Sequence, residues 1–328
     1  MFKLNIGIIG CGLIGQKRAA SLGNNILKAV ADVSLDRAEK LACCHKGVKA
    51  FSDWKELVEL DDIDLVIVST TNNWLAPITL KTVESGKHVL VEKPGACNFR
   101  ELDPVIEAAR KNGVKVKVGF NLRCHPSFLK AREIIDSGIL GKLMFIRGRY
   151  GHGGRPGYEK EWRANPAISG GGELLDQGVH IIDLSRWFLG DFSRVSGSVH
   201  TYFWDMPVED NGFLHLETSS GNAAWLQVSC TEWKNMFSFE IYGEQGKLQV
   251  DGLGGSYGTE RLSFYHMLPQ MGPPETTIWE YPVNDMSWKI EFEDFIKTIE
   301  SNNDPQPGLK DARAALEIVS KIYEVSKK

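Results

Sequence analysis

The glycine-rich stretch Gly10–Gly15 is the feature that most restricts how this chain can fold. It follows a short apolar run, Asn5–Ile9, typical of a buried strand, and it precedes residues that begin a helix. Strand, tight turn and helix are the context in which G-x-G-x-x-G binds a dinucleotide. There Gly10 forms the turn, Gly12 lets a pyrophosphate approach the backbone, and Gly15 packs the helix on the strand. The predicted cofactor contacts in this turn are Gly10, Gly12, Leu13 and Ile14.

A second apolar run, Lys28–Ala31, ends at Asp32, about twenty residues after the glycine turn. An acid at that distance can hydrogen-bond the adenosine ribose hydroxyls, and it would repel a 2′-phosphate. Asp32 is therefore a predicted cofactor contact, and the sequence favours NAD over NADP.

Strand and helix signals continue to alternate through Phe120, which is typical of an α/β fold with a doubly wound parallel sheet. We predict an N-terminal Rossmann domain over residues 1–121. Ligands of such sheets bind at the carboxyl ends of the strands. Polar residues at that edge are further candidate contacts: Thr70, Asn72, Glu92 and Lys93.

The pattern changes after Asn121. Residues 194–282 are typical of strands separated by turns, and two helices close the chain. We predict a C-terminal α+β domain over residues 122–328 with a large, mostly antiparallel sheet, whose closing helices could pack back on the first domain. One sheet face could stay open to a partner. Four tryptophans could line it, although each one singly is more typical of buried core: Trp204, Trp225, Trp233 and Trp279.

Composition and charge exclude several classes of protein. The 328 residues carry a formal net charge of -4 without a Lys/Arg run, which argues against nucleic-acid binding. No apolar stretch reaches the length of a membrane span, so we expect no membrane partner. The six cysteines form no CxxC pair, and we expect no metal site. Free thiols favour a reducing compartment, so we expect a cytoplasmic protein.

The glycine run Gly170–Gly172 precedes a stretch, Leu174–Leu184, whose apolar residues recur at helical spacing. Asp176 and His180, four positions apart, then share a helix face, and Asp183 lies close to that line. A carboxylate one turn from an imidazole can orient the ring and raise its basicity. A buried structural histidine paired with an acid is the alternative, and this stretch alone leaves both open. The glycines allow a backbone or a ligand to approach the helix start.

Three motifs together resemble one family, the glucose–fructose oxidoreductase / inositol dehydrogenase (Gfo/Idh/MocA) family. They are Gly10–Gly15, Glu92-Lys93-Pro94 and Gly170–Asp183, with a Trp162-Arg163 pair in the matching order. The resemblance covers nearly the whole chain. It implies an NAD(P)-dependent dehydrogenase or reductase that acts on a secondary alcohol of a sugar, cyclitol or sugar nucleotide. It also implies a homodimer or homotetramer built on the open sheet.

The resemblance further implies roles for individual residues. The family's catalytic positions are matched by Lys93, Asp176 and His180. Its cofactor contacts are matched by Asp32, Thr70, Asn72 and Glu92, and by Trp162 and Arg163 near the nicotinamide. Family members often have a histidine shortly after the position of Asn72, where this chain has Trp74-Leu75-Ala76. We expect that difference to affect pocket packing rather than chemistry.

In such a reaction His180, oriented by Asp176, is the expected base for the hydroxyl proton. Lys93 brings a positive charge to the developing alkoxide, and the two residues can exchange roles. Candidate substrate contacts, each as typical of a solvated or structural role, are Asn121, Arg123, His125, His152, Arg155, Tyr158 and Arg163, together with Asp176 and His180. Two alternatives stay open: redox-assisted elimination of a glycoside, and a dinucleotide-binding sensor, which the joint presence of the catalytic positions disfavours.

Overall fold

A computed structural model describes residues 3–282 and 284–326 of the protein, which divide into two units. The first unit comprises Met1–Phe120, Ala167–Gly170 and Trp288–Leu316. The second comprises Asn121–Pro166, Gly171–Ser287 and Glu317–Lys328. The outermost positions of the two predicted domains, 1–2 and 327–328, lie outside the described residues.

The sheet of the first unit has six parallel strands. They are β1 Asn5–Ile9, β2 Ile26–Ala31, β3 Lys49–Phe51, β4 Leu65–Val68, β5 His88–Glu92 and β6 Val116–Gly119. Their order, β3-β2-β1-β4-β5-β6, is that of the Rossmann fold and confirms the predicted parallel sheet. All four residues of β4 are buried, as expected of a parallel strand covered on both faces. The edge strand β3 is too short to show a periodic signal and is not predicted from the sequence.

The described residues form ten α-helices. They are α1 Leu13–Ala20, α2 Leu35–Cys43, α3 Trp54–Val58, α4 Asn72–Glu84, α5 Leu102–Asn112, α6 Pro126–Asp136, α7 Pro166–Ser169, α8 Val179–Leu189, α9 Ser287–Glu300 and α10 Leu309–Ser326. Each of them is too short or too polar to traverse a bilayer. Helix α9 completes the first unit, because its Phe292 and Phe295 are buried in the same apolar cluster as Ile6 and Ile8 of β1.

The sheet of the second unit has eight strands. They are β7 Leu143–Gly151, β8 Phe192–His200, β9 Asn211–Thr218, β10 Ala223–Ser229, β11 Met236–Gly243, β12 Gly246–Asp251, β13 Glu260–His266 and β14 Glu275–Tyr281. Their order is β14-β13-β12-β11-β7-β10-β9-β8. Six of the seven pairings are antiparallel and β7–β10 is parallel, which confirms the predicted mostly antiparallel sheet.

One face of this second sheet is apolar core and the other carries aromatic and charged side chains. In β10, Leu226 and Val228 are buried, whereas Trp225 points the other way and is 58% exposed. Trp225 stacks on His215 across the strand pair, with ring centroids 4.3 Å apart. The expectation of buried core is therefore wrong for Trp225, and also for Trp233, which lies beyond the end of β10 and is 80% exposed. Alternation along a strand places every second side chain on the outer face, whatever its size.

The helix predicted after the glycine run does not start as an α-helix. Leu174–Gly178 forms a π-helical turn, and α8 continues from Val179. The pairing of Asp176 with His180 on one helix face therefore stays a prediction, since Asp176 lies within the π turn and His180 in the α-helix that follows it. Single π turns inside helices occur frequently at functional sites.

Candidate functional site

The three motif glycines occupy distinct environments in the first unit. Gly10 has a φ of +95°, and a Cβ there would lie 2.4 Å from the Ser69 carbonyl oxygen. A Cβ on Gly15 would lie 2.0 Å from the Gly10 carbonyl oxygen, whereas a Cβ on Gly12 would meet no atom within 4 Å. The chain's own packing thus requires the outer two glycines. The middle one leaves open space at the N-terminus of α1, which fits a pyrophosphate.

Asp32 is held at the carboxyl end of β2, beside this turn. Its Oδ2 accepts a hydrogen bond from Cys11 N at 2.9 Å, and its Oδ1 accepts one from Ser34 N at 2.9 Å. These bonds fix a largely buried carboxylate at the strand end where a dinucleotide presents its ribose. Arg37 lies 3.8 Å from Asp32 Oδ1 with an exposed side chain.

The strand ends of the first unit hold the other predicted cofactor residues. Thr70 follows β4, and its Oγ1 donates to the Thr71 carbonyl at 3.3 Å. Asn72 begins α4 and is buried, and its Nδ2 donates to the Ser169 carbonyl at 2.8 Å. The Asn72 amide thus anchors the segment Ala167–Gly170 within this unit. Contacts of Thr70 and Asn72 with a cofactor stay predictions.

Glu92 ends β5 and is followed by Lys93, whose bond to Pro94 is cis. The Glu92 carboxylate is buried against Arg18, whose Nε donates to Glu92 Oε1 at 2.7 Å. The same guanidinium donates to Glu291 Oε2 at 2.5 Å. Neither Arg18 nor Glu291 is predicted from the sequence. The sequence offered one sign that Arg18 is buried: it lies three positions after Gly15, on the side of α1 that also buries Ala19.

In the second unit, three predicted site residues form one cluster. Arg163 Nε donates to Asp176 Oδ2 at 2.9 Å, and the guanidinium carbon lies 4.6 Å from the centre of the Trp162 ring. Burial acts to lower the pKa of Arg163, but Asp176, Tyr158 and Glu161 together outweigh burial and the pKa is raised. The arginine is therefore a fixed positive charge that orients Asp176.

His180 lies on α8 and is buried, with 5% of its surface exposed. Its ring packs at 6.1 Å from Tyr150, near the end of β7, and Tyr150 packs at 5.6 Å from Tyr257. Burial raises the pKa of Tyr150 well above its usual range, and Tyr257 and Asp176 add to the effect. The Tyr150 hydroxyl therefore keeps its proton and can donate a hydrogen bond. Neither tyrosine is predicted from the sequence, where only the position of Tyr150 before Gly151 hints at a strand end.

The loop after β7 holds two more of the candidate substrate residues in defined contacts. His152 Nε2 lies 3.5 Å from Glu173 Oε1, and its Nδ1 accepts a hydrogen bond from Gly154 N at 3.0 Å. Burial lowers the pKa of His152, but Glu173 and Asp176 outweigh it and the pKa is raised. Tyr158 is buried against the His152 ring, with ring centroids 5.6 Å apart.

Four other candidate substrate residues are engaged with neighbours inside the second unit. Arg123 makes a two-pronged pair with Asp183, with Nε–Oδ2 and NH2–Oδ1 distances of 2.7 and 2.5 Å. The remaining contacts are Asn121 Nδ2 to Ser287 Oγ at 2.8 Å, His125 Nδ1 to Glu260 Oε2 at 2.8 Å, and Arg155 Nε to Glu161 Oε1 at 2.7 Å. Asn121, Arg123 and His125 are buried, whereas the Arg155 side chain is 65% exposed. Burial favours structural roles for the first three, and substrate contact stays a prediction for all four.

Other residues of the protein occupy the space beside the glycine run that precedes the π turn. A Cβ on Gly172 would lie 2.0 Å from the Glu209 carbonyl oxygen, and one on Gly171 would lie 2.1 Å from the Tyr323 hydroxyl. The Glu209 carboxylate accepts hydrogen bonds from Gly172 N and Leu174 N at 3.0 and 3.1 Å. The sequence predicted that either a backbone or a ligand approaches these glycines. At Gly172 the structure therefore places a backbone. An acid at this helix start also complements the helix dipole.

No group of three or more His, Cys, Asp or Glu side chains within residues 3–282 and 284–326 is arranged to hold a metal ion.

Two family models match this chain. The one described as "Oxidoreductase family, NAD-binding Rossmann fold" matches residues 4–120. The one described as "GFO/IDH/MocA C-terminal domain" matches residues 128–249. The two matches cover the parallel sheet of the first unit and most of the mixed sheet of the second.

Similar proteins align over almost the full chain. Levoglucosan dehydrogenase of Pseudarthrobacter phenanthrenivorans is 25% identical, over 100% of this chain and 97% of its own. Myo-inositol 2-dehydrogenase of Thermotoga maritima is 30% identical, over 95% and 93%. The crystal structure of an NAD binding oxidoreductase from Klebsiella pneumoniae superposes with a TM-score of 0.87 at 26% identity, over 99% and 97%. A levoglucosan dehydrogenase in complex with NADH and levoglucosan has the same fold, with a TM-score of 0.88 at 23% identity over 99% and 97%.

Proposed function

Because the chain belongs to the GFO/IDH/MocA family of NAD-binding oxidoreductases, we propose that it is a dehydrogenase of a sugar or cyclitol. The family resemblance of the motifs is thereby confirmed. In this proposal the enzyme interconverts a secondary alcohol and a ketone on a polyhydroxylated ring. The observation that carries the proposal is the glycine turn, where Gly12 opens onto free space beside the fixed Asp32 carboxylate.

NAD, when bound, supplies the redox step by exchanging a hydride with the substrate carbon. The turn amides at the start of α1 bind its phosphates, and Asp32 binds the adenosine ribose. The contacts of Asp32 with Cys11 N and Ser34 N support this role, since they hold the carboxylate at the strand end before any ligand arrives.

In this proposal the proton steps fall to His180 and Lys93. His180 accepts the proton of the reacting hydroxyl, and the Lys93 ammonium stabilises the negative charge that develops on that oxygen. Asp176 is the proposed partner that orients the imidazole, and Arg163 keeps that carboxylate in place. The buried Tyr150 hydroxyl beside the His180 ring supplies a further donor.

A ring-shaped polyol is the proposed substrate class. The similar proteins named above are a levoglucosan dehydrogenase and a myo-inositol 2-dehydrogenase, and both names specify a polyhydroxylated ring. The exposed Arg155 guanidinium in the loop after β7 could serve a substrate that also carries a carboxylate or phosphate. Sugar acids and sugar nucleotides therefore belong in the test set.

The test is an NAD-reduction screen over inositols, aldoses, uronic acids and sugar nucleotides, with the Lys93→Ala protein run in parallel. We expect the reduced nicotinamide to accumulate with at least one polyol in the wild type and to be strongly slowed in Lys93→Ala. Tight NAD binding without turnover of any polyol would favour the sensor alternative. Release of an aglycone from a glycoside without net NAD reduction would favour elimination.

We also propose that the outer face of the second sheet joins copies of this chain into a homodimer or homotetramer. The exposed Trp225 and its stacked neighbour His215 support this, since large aromatic rings are enriched in interface cores. Light scattering should report a smaller particle for Trp225→Arg than for the wild type. Trp233→Arg, an exposed tryptophan off the sheet, is the matched control and should keep the wild-type mass.

A cytoplasmic location completes the proposal. It is supported by the six cysteines, all of which are free thiols. Fractionation of cells that produce the protein, with a cytoplasmic and an exported marker, tests it.

A further inference from the structure

A buried charged cluster lies inside the first unit, next to the lysine of the Glu92-Lys93 pair. Its centre is Arg18 on α1, whose side chain is fully buried. The guanidinium contacts Glu92 Oε1 through Nε and NH2 at 2.7 and 2.6 Å, and it contacts Glu291 Oε2 through NH1 at 2.5 Å. One cation therefore holds two buried carboxylates, one at the end of β5 and one on α9.

The surroundings of the guanidinium leave it little freedom to move. The Trp288 ring of α9 lies 4.4 Å from the guanidinium carbon, in the geometry of a cation–π contact. Gly119 supplies the space on another side, because a Cβ there would lie 2.8 Å from Arg18 NH2 and 3.1 Å from Glu92 Oε2. Gly119 pairs with Glu92 in the sheet, so the close fit occurs at the strand end that leads to Lys93.

The cluster costs desolvation energy, so its retention in the core needs a reason. Replacing a buried ion pair with apolar residues is often neutral or stabilising, which makes such a pair weak evidence for a purely stabilising role. A second cation, Lys117, is fully buried nearby and pairs with Asp294 Oδ2 at 2.8 Å. Burial raises the pKa of Glu291, while Arg18 and Lys117 act to lower it. The net pKa of Glu291 is raised, so the two cations offset only part of the cost of burying its carboxyl group.

We propose that Arg18, backed by Glu291 and Trp288, is a positioning residue for Lys93. The proposal rests on the dehydrogenase function proposed above. Arg18 fixes the Glu92 carboxylate, and Lys93 is the next residue, so the backbone from which the lysine projects is fixed from inside the unit. The planar fork of an arginine can hold two carboxylates at once, whereas a lysine acts as a single point of charge. Helix α9, from the C-terminal part of the chain, thereby supports the lysine of a motif nearly two hundred residues earlier.

The test compares Arg18→Lys with Arg110→Lys, which changes a surface arginine paired with Glu107 in the same unit. If Arg18 positions Lys93, Arg18→Lys should lower kcat about tenfold or more, because small displacements of a catalytic group are costly. kcat/KM should fall in parallel, with KM for the polyol and Kd for NAD within about threefold of wild type, since the lost interaction belongs to the transition state. Arg110→Lys should leave all of these values unchanged.

A second pair of variants keeps the inference testable if Arg18→Lys does not fold. Glu291→Gln keeps an oxygen that accepts from the Arg18 guanidinium, but it removes the anionic partner and with it the Coulombic attraction between the two side chains. Like Arg18→Lys, it should lower kcat, but by only about threefold. Glu293→Gln, on the exposed side of α9 beside Lys289, is its control and should match the wild type.

Two results would overturn the inference: wild-type kcat in folded Arg18→Lys and Glu291→Gln, or losses confined to thermal stability, KM or NAD affinity. Both are distinct from failure of the proposed function, in which the wild type itself oxidises no polyol.

Discussion

The two units differ in how much a strand's sequence reveals about its surroundings. In the first sheet, β4 is buried at every position, and its apolar run is continuous. In the second sheet, β10 alternates, so Trp225 is exposed between buried neighbours. A continuous apolar run indicates that both faces of the strand are covered. Alternation indicates only that the two faces of the strand differ in burial. The size of a side chain does not show which of the two faces it occupies.

The units also differ in how deeply they bury the arginines that hold site carboxylates. In the first, Arg18 is fully buried against Glu92. In the second, Arg163 retains 34% of its side-chain exposure beside Asp176. A buried pair is rigid and costly to break, whereas a partly solvated one is adjustable and contributes little to stability. We therefore expect the Arg18–Glu92 pair to be the more rigid of the two and the Arg163–Asp176 pair to be the more adaptable.

The largest expected effect tests whether Lys93 and His180 serve one chemical step. Lys93→Ala and His180→Ala should each lower kcat by about 10²–10⁴-fold, because each removes a charge or proton transfer from the transition state. The double variant should be little worse than the more damaged single variant, since residues that act as a unit are not additive. Single-turnover kinetics with a saturating polyol measures all three. Multiplicative losses would indicate that Lys93 and His180 act independently.

The next effect contrasts two acids within the second unit. Asp183→Asn should lower the free energy of unfolding by about 3–5 kcal/mol, because it leaves Arg123 buried without its anionic partner. Asp176→Asn should cost about 1 kcal/mol or less, because Arg163 is partly solvated. Equilibrium urea unfolding compares the two variants. A larger loss for Asp176→Asn would contradict the ranking of the pairs by burial.

The glycine turn offers a sharper contrast inside the first unit. Gly15→Ala should destabilise the protein by about 3 kcal/mol, since the new Cβ meets the Gly10 carbonyl. Gly12→Ala should leave the melting temperature nearly unchanged, because its Cβ enters open space, but should weaken NAD binding about tenfold or more. Differential scanning fluorimetry with and without NAD tests both. Unaltered NAD affinity in Gly12→Ala would place the cofactor elsewhere.

The smallest expected effect concerns pH and His88 at the start of β5. Burial lowers the pKa of His88 below its usual 6.5, and its Nδ1 accepts a hydrogen bond from Lys115 N. The folded state therefore binds fewer protons than the unfolded chain, and stability falls as the pH drops through 6.5. His88→Asn keeps an acceptor for Lys115 N and should flatten that fall. His200→Asn on β8 is the control that should keep the wild-type slope.

Local patterns in the sequence were enough for the parallel sheet, the glycine turn, Asp32 at a strand end and the family. Each depends on residues close together in the chain, where periodicity and turn chemistry report burial directly. The π turn at Leu174–Gly178 could not be predicted from such patterns, because the same apolar spacing fits an α-helix. Its start is set by Glu209, which reaches Gly172 from the loop between β8 and β9.

The sequence by itself determined that Glu92 and Lys93 lie at the end of a strand and that Asp176 follows a glycine run, and hence that these residues were candidates. Only the tertiary structure decided what holds them. Arg18 and Glu291 are 273 positions apart, and Arg123 and Asp183 are 60 apart. Pairing over such distances depends on where helices pack, and periodicity within one helix carries no information about the partner that covers it.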